Sequence, residues 1–280
     1  MKCTRAVIPV AGFGTRRLPV TKSVEKCMLP VLNRPVIDYI VQDCIAAGVT
    51  EFYFVVGEDC AQLRSYYGRN LALEQHLKDA NKQDMLGLVA PPKNIKFEFI
   101  VQNHGSNKPY GTSVPVWLAY QAMPDDGQKT LVIMGDQFIY NGDGQSEAAY
   151  FLKNAQDADT DSAMLAIEVP QSEVSKYGII AAKSNGNIEL FDHIVEKPKP
   201  HDAPSNLNNA SFYLFDRYFF DFLQKDISRA HDGEFRITDS LNEYVSAGND
   251  IAIIRNKGEY LDCGTVNGWL HANNRIINDL

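Results

Sequence analysis

The stretch AGFGTRRLPVTKSVEKCMLP, residues 11–30, follows a short apolar run and gathers positive charge. The chain as a whole has a formal net charge of -8. The glycines and charged residues of the stretch are Gly12, Gly14, Arg16, Arg17, Lys22, Glu25 and Lys26. A glycine turn exposes backbone N–H groups, and arginine and lysine offset negative charge, so this combination suits a triphosphate. A solvated basic loop is the alternative.

The glycines of this loop do not complete a nucleotide-binding fingerprint. Gly12 and Gly14 follow the apolar run as in the dinucleotide fingerprint, but the third glycine position carries Arg17. The Gly-Lys-Ser/Thr ending of a P-loop is absent as well. Pro19 and Pro30 interrupt any helix that begins directly after Gly14, so we expect a long loop that wraps around its ligand. Open α/β sheets bind ligands at the C-terminal ends of their strands, which favours a functional loop here.

Two aspartates follow predicted strands and are candidate metal ligands. Asp136 comes after the apolar run TLVIMG, so its carboxylate would emerge at the sheet edge beside the glycine loop. Asp262, in YLDCG, lies at another predicted strand end before a glycine turn. Mg²⁺ takes a few carboxylate oxygens together with phosphates and waters, which these acids could supply. For either residue alone, the alternative is an aspartate that accepts backbone hydrogen bonds in a turn.

Alternating strands and helices in the first half of the chain must position these side chains. The predicted strands are 6–10, 52–56, 95–101 and 130–135, and the predicted helices are 36–47, 59–78 and 112–122. This alternation predicts an α/β fold, Rossmann-like, with a mixed, mostly parallel central sheet flanked by helices. Pro35 marks the predicted first position of the first helix, and Gly48 its left-handed C-cap.

The second half of the chain shows strands joined by short polar segments, which extend the sheet. Strands are predicted at 162–169, 177–182, 187–197 and 209–216, and helices at 145–157 and 265–277. The segment KPKPHDAPSNLNN, residues 197–209, is rich in Pro and Asn and is predicted to be an ordered surface loop. Thr238 is the predicted N-cap of a helix that ends at Gly248. We expect one domain over residues 1–280.

Composition excludes several classes of protein. A length of 280 residues with 45% hydrophobic residues is ordinary for a globular protein with a core. The net charge of -8 argues against a nucleic-acid-binding surface, which needs a broad cationic footprint. The five cysteines are scattered with no CxxC pair, and the N-terminus does not read as a signal peptide. Because no apolar run approaches the ~18 residues of a membrane span, we expect a soluble, cytoplasmic protein with no membrane partner.

Five motifs carry a resemblance to a known family. AGFGTRRLPVTKSVEKCMLPV resembles the signature of the sugar-nucleotide pyrophosphorylases, Gly-x-Gly-Thr-Arg followed by x-Lys-x-x-Leu-Pro, and above all that of the bacterial UTP–glucose-1-phosphate uridylyltransferases. Four later motifs agree in the same order: IMGDQF (133–138), VEKPKPHDAPSN (195–206), GEFRITDSL (233–241) and YLDCGTVNGWLHA (260–272). The likeness spans nearly the whole chain. It implies a nucleotidyltransferase fold of GT-A type, with a nucleotide-binding part at 1–140 and a sugar-phosphate-binding and oligomer part at 141–280.

The resemblance also implies a reaction and its participants. A phosphate oxygen of glucose 1-phosphate would attack the α-phosphorus of UTP, forming UDP-glucose and releasing pyrophosphate, with Mg²⁺ as the cofactor. The nucleophile is already an anion, so the reaction needs positioned cations and a metal ion but no general base. Uridylyltransferases of this family are often dimers or tetramers, which implies a homo-oligomer.

The same resemblance assigns roles to individual residues. Arg16 and Lys26 would be catalytic, with Arg16 on the β and γ phosphates and Lys26 at the reacting centre. The implied metal pair is Asp136 and Asp262. The implied nucleotide contacts are Ala11, Gly12, Gly14, Thr15, Gln102 and Gly111, with the Gln102 amide matched to the uracil edge. The implied sugar-phosphate contacts are Gly178, Glu196 and Lys197. Adjacent strand residues face opposite ways, so Glu196 and Lys197 can share a ligand only if the strand ends there, and Pro198 supplies such an end.

Some positions depart from the family pattern and keep alternatives open. Cys27 stands where the family usually has an acid, and NHGSNKPYGTSV (103–114) differs from the glycine-rich form. A thymidylyltransferase or another sugar-1-phosphate nucleotidyltransferase is therefore the near alternative. A catalytically silent regulatory subunit that binds a sugar nucleotide is the second. A dinucleotide-dependent oxidoreductase is disfavoured by Arg17. Arg17 and Lys22 themselves are predicted to be solvated charges or oligomer contacts.

Overall fold

The computed structural model describes residues 3–103, 105, 108–228 and 234–279. Gly233 of the motif GEFRITDSL, and residues 104, 106 and 107 of NHGSNKPYGTSV, lie outside those ranges. The strands are β1 (Arg5–Pro9), β2 (Pro30–Val31), β3 (Arg34–Pro35), β4 (Glu51–Val56), β5 (Lys96–Val101), β6 (Thr130–Ile133), β7 (Gln137–Tyr140), β8 (Ser162–Glu168), β9 (Gly178–Asn185), β10 (Ile188–Glu196), β11 (Leu207–Phe215), β12 (Ile251–Arg255) and β13 (Glu259–Asp262).

The central sheet of the described chain has nine strands in the order β5-β4-β1-β6-β11-β8-β12-β10-β9. Neighbours from β5 to β6 are parallel, and so are β8 and β12. β11 and β10 are antiparallel to every strand they pair with. The other strands all share one direction, which confirms a mixed, mostly parallel sheet. Two short antiparallel pairs, β2 with β3 and β7 with β13, lie outside it.

Helices cover both faces of this sheet. In the described residues they are α1 (Val36–Ala46), α2 (Ala61–Tyr67), α3 (Leu71–Asp79), α4 (Leu86–Val89), α5 (Ser113–Ala122), α6 (Glu147–Asp157), α7 (Arg217–Ser228), α8 (Ile237–Ser246) and α9 (Val266–Ile277). Because successive strand residues point to opposite faces, Ala6 and Ile8 of β1 enter a core with α1, α6 and α9, whereas Val7 enters another with α5, α7 and α8. The α/β class predicted from the sequence is confirmed. No described helix is long and apolar enough to span a bilayer.

Several local predictions were wrong. The single helix expected at 59–78 is two helices, because the backbone leaves the helical conformation at Gly68. Thr238 is not an N-cap: α8 begins at Ile237, and Thr238 lies buried in its first turn. Pro35 lies one residue before α1 with an extended backbone. In the segment 197–209, residues 207–209 are not loop but the buried start of β11. The glycines Gly48 and Gly248 do follow their helices with a φ of 93° each.

Candidate active site

A cavity of about 470 Å³ opens where β1 and β6 end, and we call it the loop cavity. Four residues predicted to bind the nucleotide line it: Ala11, Gly12, Gln102 and Gly111. Lys26 and Asp136 lie on its wall as well. Gly14 and Thr15, predicted for the same role, are not among the described residues that line it. Gly14 has a φ of 63°, and a Cβ there would lie 3.1 Å from Lys26 Cβ, so its conformation lets the loop fold back onto Lys26.

A second cavity of about 710 Å³, the strand cavity, adjoins the loop cavity, and Asp136 lines both. It contains the residues predicted for the sugar phosphate, Gly178, Glu196 and Lys197. Glu196 is the last residue of β10, and Lys197 then turns with a φ of 47° while its N–H donates to the carbonyl of Tyr177 at 2.9 Å. The strand therefore ends where the sequence required it to end. A Cβ on Gly178 would lie 3.2 Å from Glu196 Oε1, so these two residues are in close contact.

Two short strands bring Asp136 and Asp262 together. Asp136 precedes β7, Asp262 ends β13, and the antiparallel pairing sets Asp262 opposite Gln137. The Cys263 N–H donates to the Asp136 carbonyl at 3.0 Å, and the Gly264 N–H donates to Asp262 Oδ1 at 2.7 Å. Both acids therefore emerge from one hydrogen-bonded corner.

Gly264 marks the point on which the acids and Arg16 converge. A Cβ built there would lie 2.8 Å from Asp262 Oδ1, 3.5 Å from Asp136 Oδ2 and 3.7 Å from Arg16 Nη2. In the described chain no group of three or more His, Cys, Asp or Glu residues is arranged for a metal ion. Two carboxylates nevertheless fit the way Mg²⁺ is usually held, through one or two carboxylates with substrate phosphates and waters.

Charge interactions in this corner are strong. Lys26 Nζ forms an ion pair with Asp136 Oδ2, which ties the glycine loop to the turn between β6 and β7. Burial raises the pKa of the Asp262 carboxyl, and the Asp136 charge raises it further, although the Gly264 N–H opposes both effects. A nearby cation relieves this electrostatic cost of holding two carboxylates together.

Arg17 and Cys27 are the two buried residues of the glycine loop that carry a donor or a thiol, and Arg17 corrects an expectation from the sequence. Arg17 is neither solvated nor available for an oligomer contact, because it is only 4% exposed and donates to the carbonyl of Thr265 at 2.5 Å. Lys22 is exposed, as a solvated charge would be. Cys27 is buried, and burial raises the pKa of its thiol to about 12, so the neighbouring Lys26 does not activate it as a nucleophile.

The structure adds polar residues to the strand cavity that the sequence reasoning did not single out. They include Lys176, Tyr177, Asn208, Asn209, Glu234, Arg236, Thr238 and Tyr260. One signal was present in the sequence: LNNASFYLF places two asparagines in an otherwise apolar strand, where asparagine is depleted. The neighbouring Pro- and Asn-rich loop masked that signal.

Comparison with known proteins agrees with this geometry. The family described as Nucleotidyl transferase matches residues 5–279. The UTP–glucose-1-phosphate uridylyltransferase of Streptococcus pneumoniae serotype 4 is 34% identical over 86% of this chain and 79% of its own. A UTP-bound UGPase from Acinetobacter baumannii superposes with a TM-score of 0.85 at 26% identity, covering 98% of this chain and 93% of that one. A UDP-glucose pyrophosphorylase complexed with UDP-glucose gives 0.81 at 27% identity, covering 100% of both chains.

The chain therefore belongs to the nucleotidyl transferase family, and the family resemblance inferred from its five motifs is confirmed. The structure gathers the predicted site residues around two adjoining cavities, apart from Gly14 and Thr15. Their individual roles remain predictions.

Proposed function

We propose that this nucleotidyltransferase is a UTP–glucose-1-phosphate uridylyltransferase, which forms UDP-glucose and pyrophosphate. The observation that carries the proposal is the convergence of Asp136, Asp262 and Arg16 on one point. All three residues line the strand cavity, and Asp136 lines the loop cavity as well. A nucleotide in the loop cavity and a sugar phosphate in the strand cavity would meet there. Similarity to a UTP-bound structure and to one that holds UDP-glucose supports the choice of ligands.

The chain's own residues would bind and orient two polyanions. Ala11, Gly12, Gln102 and Gly111 would hold the uridine, and the Gln102 amide can both donate to and accept from the uracil edge. Glu196 would accept hydrogen bonds from sugar hydroxyls, while Lys197 would bind the sugar phosphate. The phosphate oxygen of glucose 1-phosphate forms a bond to the α-phosphorus of UTP as the bond to the pyrophosphate oxygen breaks. No proton needs to move, because the nucleophile is already ionised.

Arg16 and Lys26 would stabilise negative charge in the transition state. Arg16 lies beside the acid pair, where its planar guanidinium can hold two oxygens of the leaving pyrophosphate. Lys26, held by Asp136 at the wall of the loop cavity, would contact phosphate oxygens at the reacting centre. Cations positioned in advance are effective because they need no reorganisation during the reaction.

Asp136 and Asp262 are the residues that would hold Mg²⁺. Their carboxylates approach the same point, and Mg²⁺ is usually held by one or two carboxylates together with substrate phosphates and waters. When bound, the metal ion would neutralise phosphate charge and orient the substrates.

The remaining expectations belong to this proposal. Residues 1–140 would bind the nucleotide, and residues 141–280 would bind the sugar phosphate and form the contacts of a homodimer or homotetramer. We expect the enzyme to act in the cytoplasm with neither nucleic acid nor membrane as a partner, because its net charge of -8 disfavours both.

A substrate panel tests the reaction. Pyrophosphate release would be measured with UTP, dTTP, ATP, CTP and GTP against glucose 1-phosphate and other sugar 1-phosphates, with and without Mg²⁺. We expect the highest kcat/KM for UTP with glucose 1-phosphate and no release without a divalent ion. A preference for dTTP would show a thymidylyltransferase instead. Tight binding of UDP-glucose without turnover would show a silent regulatory subunit.

The acid pair has its own test. Asp136→Asn and Asp262→Asn keep the shape of the side chain and remove its charge, so we expect kcat to fall by roughly 10³-fold or more while the circular dichroism spectrum is retained. Asp84→Asn, at an exposed position that lines neither cavity, is the matched control and should keep full activity. Full activity in either acid variant would remove the metal assignment.

A further inference from the structure

Two buried polar atoms in the wall of the strand cavity make no hydrogen bond of normal geometry in the described chain. Asn208 is 2% exposed and Thr238 is 8% exposed, and the atoms are Asn208 Nδ2 and Thr238 Oγ1. The Asn208 side chain interacts with the Tyr260 hydroxyl, but this contact does not give the amide a hydrogen bond of normal geometry. Buried polar groups are nearly always hydrogen-bonded, and an unpaired one destabilises the fold. Two of them in one cavity therefore point to a ligand that completes them.

The two residues reach the cavity from different elements. Asn208 lies on β11 opposite Ile179 of β9, one residue from Gly178, and shares the cavity wall with Tyr260. Thr238 lies in the first turn of α8, where the preceding N–H, that of Ile237, is bonded to Thr112 Oγ1 at 2.9 Å. Asn208 and Thr238 therefore line the same cavity, the strand cavity, as the residues that we propose hold the sugar phosphate: Gly178, Glu196 and Lys197.

The neighbouring Asn209 shows that a polar residue on this strand can be satisfied by the protein alone. Its Nδ2 donates to the Tyr213 hydroxyl at 2.7 Å, and its Oδ1 accepts from the Ser211 N–H at 3.0 Å. Asn209 also lines the strand cavity. Thus β11 carries one asparagine, Asn209, whose side chain is hydrogen-bonded within the protein through both its oxygen and its nitrogen. The other, Asn208, has a side-chain nitrogen without a hydrogen bond of normal geometry.

We propose that Asn208 and Thr238 recognise hydroxyl groups of the sugar and thereby determine sugar specificity, an inference that rests on the proposed function. The Asn208 amide can donate to a hydroxyl oxygen, and the Thr238 hydroxyl can donate or accept. A sugar hydroxyl is likewise both donor and acceptor, so it satisfies either residue. A deoxy sugar leaves the buried group unpaired, and sites built to bind a hydroxyl reject analogues that lack it.

The test uses Asn208→Ala and Thr238→Val, of which the second keeps the shape of the side chain without its hydroxyl. Asn273→Ala is the control, because Asn273 lines neither cavity and is bonded within the protein: its Oδ1 accepts from the Leu32 N–H and its Nδ2 donates to the Trp269 carbonyl. For each protein, kcat and KM are measured for UTP, for glucose 1-phosphate and for its 2-, 3-, 4- and 6-deoxy analogues. Calorimetric binding of the same sugar phosphates and thermal unfolding without ligand complete the set.

We expect each test variant to raise the KM for glucose 1-phosphate by roughly tenfold or more, with the KM for UTP unchanged. With the wild type, at least one deoxy analogue should have a much lower kcat/KM than glucose 1-phosphate. In one of the two variants this difference in kcat/KM should disappear. The unfolding temperature without ligand should stay the same or rise, since an unpaired buried group is gone. Asn273→Ala should instead lower the unfolding temperature and leave the effect of each deoxy substitution on kcat/KM unchanged.

The inference is overturned if removing each sugar hydroxyl lowers kcat/KM by the same factor in the wild type and in both variants, even where a variant is less stable. If Asn208→Ala fails to fold, Thr238→Val decides by the same comparison. Failure of the proposed function is a separate result, because it shows as an inactive wild type on UTP with glucose 1-phosphate. In that case the loss of binding affinity for each deoxy analogue, measured by calorimetry in the wild type and the variants, decides whether the two residues recognise sugar hydroxyls.

Discussion

Arg16 and Arg17 are consecutive residues of one 3₁₀ turn, Thr15–Arg17, yet they occupy opposite environments. Arg16 is exposed and lines the strand cavity, with Nη2 near the acid pair. The Arg17 guanidinium is buried, with its Cζ 5.2 Å from the centroid of the Trp269 ring, and donates to the Thr265 carbonyl at 2.5 Å. One turn therefore places a cation beside the acid pair, through Arg16, and is hydrogen-bonded through Arg17 to the segment that follows Asp262.

Replacement of Arg17 should impair catalysis without touching a substrate. Arg17→Met fills similar space but lacks the donor that fixes the Thr265 carbonyl, so the loop that carries Asp262 would loosen. Small misplacements of catalytic groups are expensive, and we expect kcat to fall by about tenfold or more. Steady-state kinetics at saturating UTP, glucose 1-phosphate and Mg²⁺ measure kcat.

Lys22→Met, at an exposed cation of the same loop, is the control, and its kcat should match that of the wild type. Equal kcat values for Arg17→Met and Lys22→Met would show that Arg17 does not position the loop that carries Asp262.

Substitution of Gly178 should affect the sugar phosphate more than the nucleotide. An added Cβ would lie 2.9 Å from Ile194 Cδ1 and 3.2 Å from Glu196 Oε1, so Glu196 must move within the strand cavity. For Gly178→Ala we expect the KM for glucose 1-phosphate to rise about tenfold while the KM for UTP stays unchanged. Gly87→Ala is the control, since an added Cβ meets no atom within 4 Å. An equal rise in both KM values would contradict a specific role for Gly178 in the sugar site.

The Asp43 carboxyl should make stability depend on pH. Burial raises its pKa to about 6, against bonds donated by Ser146 and Ala148 that lower it. Between its unfolded value of 3.8 and about 6 the folded protein binds the extra proton, so stability falls as pH rises through that window. The shift corresponds to roughly 2–3 kcal/mol.

Asp43→Asn keeps an oxygen that can accept from Ala148 and cannot ionise, so it should lose this pH dependence. Urea unfolding at pH 4.5 and 7 measures the difference in free energy of unfolding between the variant and the wild type. We expect the free energy of unfolding of the variant to increase relative to that of the wild type as the pH rises. Asp84→Asn, at an exposed position, should show no such gain, and a pH-independent difference for Asp43→Asn would refute the prediction.

Local sequence predicted most of the elements but not how the second half joins the sheet. The runs that become β1, β4, β5 and β6 were predicted within a residue or two. β1, β4 and β6 are buried parallel strands, which appear in a sequence as continuous apolar stretches, whereas β5 is an edge strand that is only partly buried. The order in which β11, β8 and β12 pair was not predictable, since it depends on contacts between residues far apart in the chain. The elements that were missed altogether are β2, β3, β7, β12, α4 and α7, although β7 is what brings Asp136 to Asp262.

The amino-acid sequence by itself determined the family, the α/β class and the candidate residues, because motif spacing and residue type are local properties. Tertiary structure alone decided that Asp136 and Asp262 share a corner and that Arg17 is buried while Arg16 is not. It also decided that Asn208 lines the strand cavity with no hydrogen bond of normal geometry to its amide nitrogen. The physical reason is that burial and hydrogen-bond partners are set by strands and turns from distant parts of the chain. The sequence gives the type of each side chain directly, whereas the burial and contacts of that side chain are determined only when the sheet has folded.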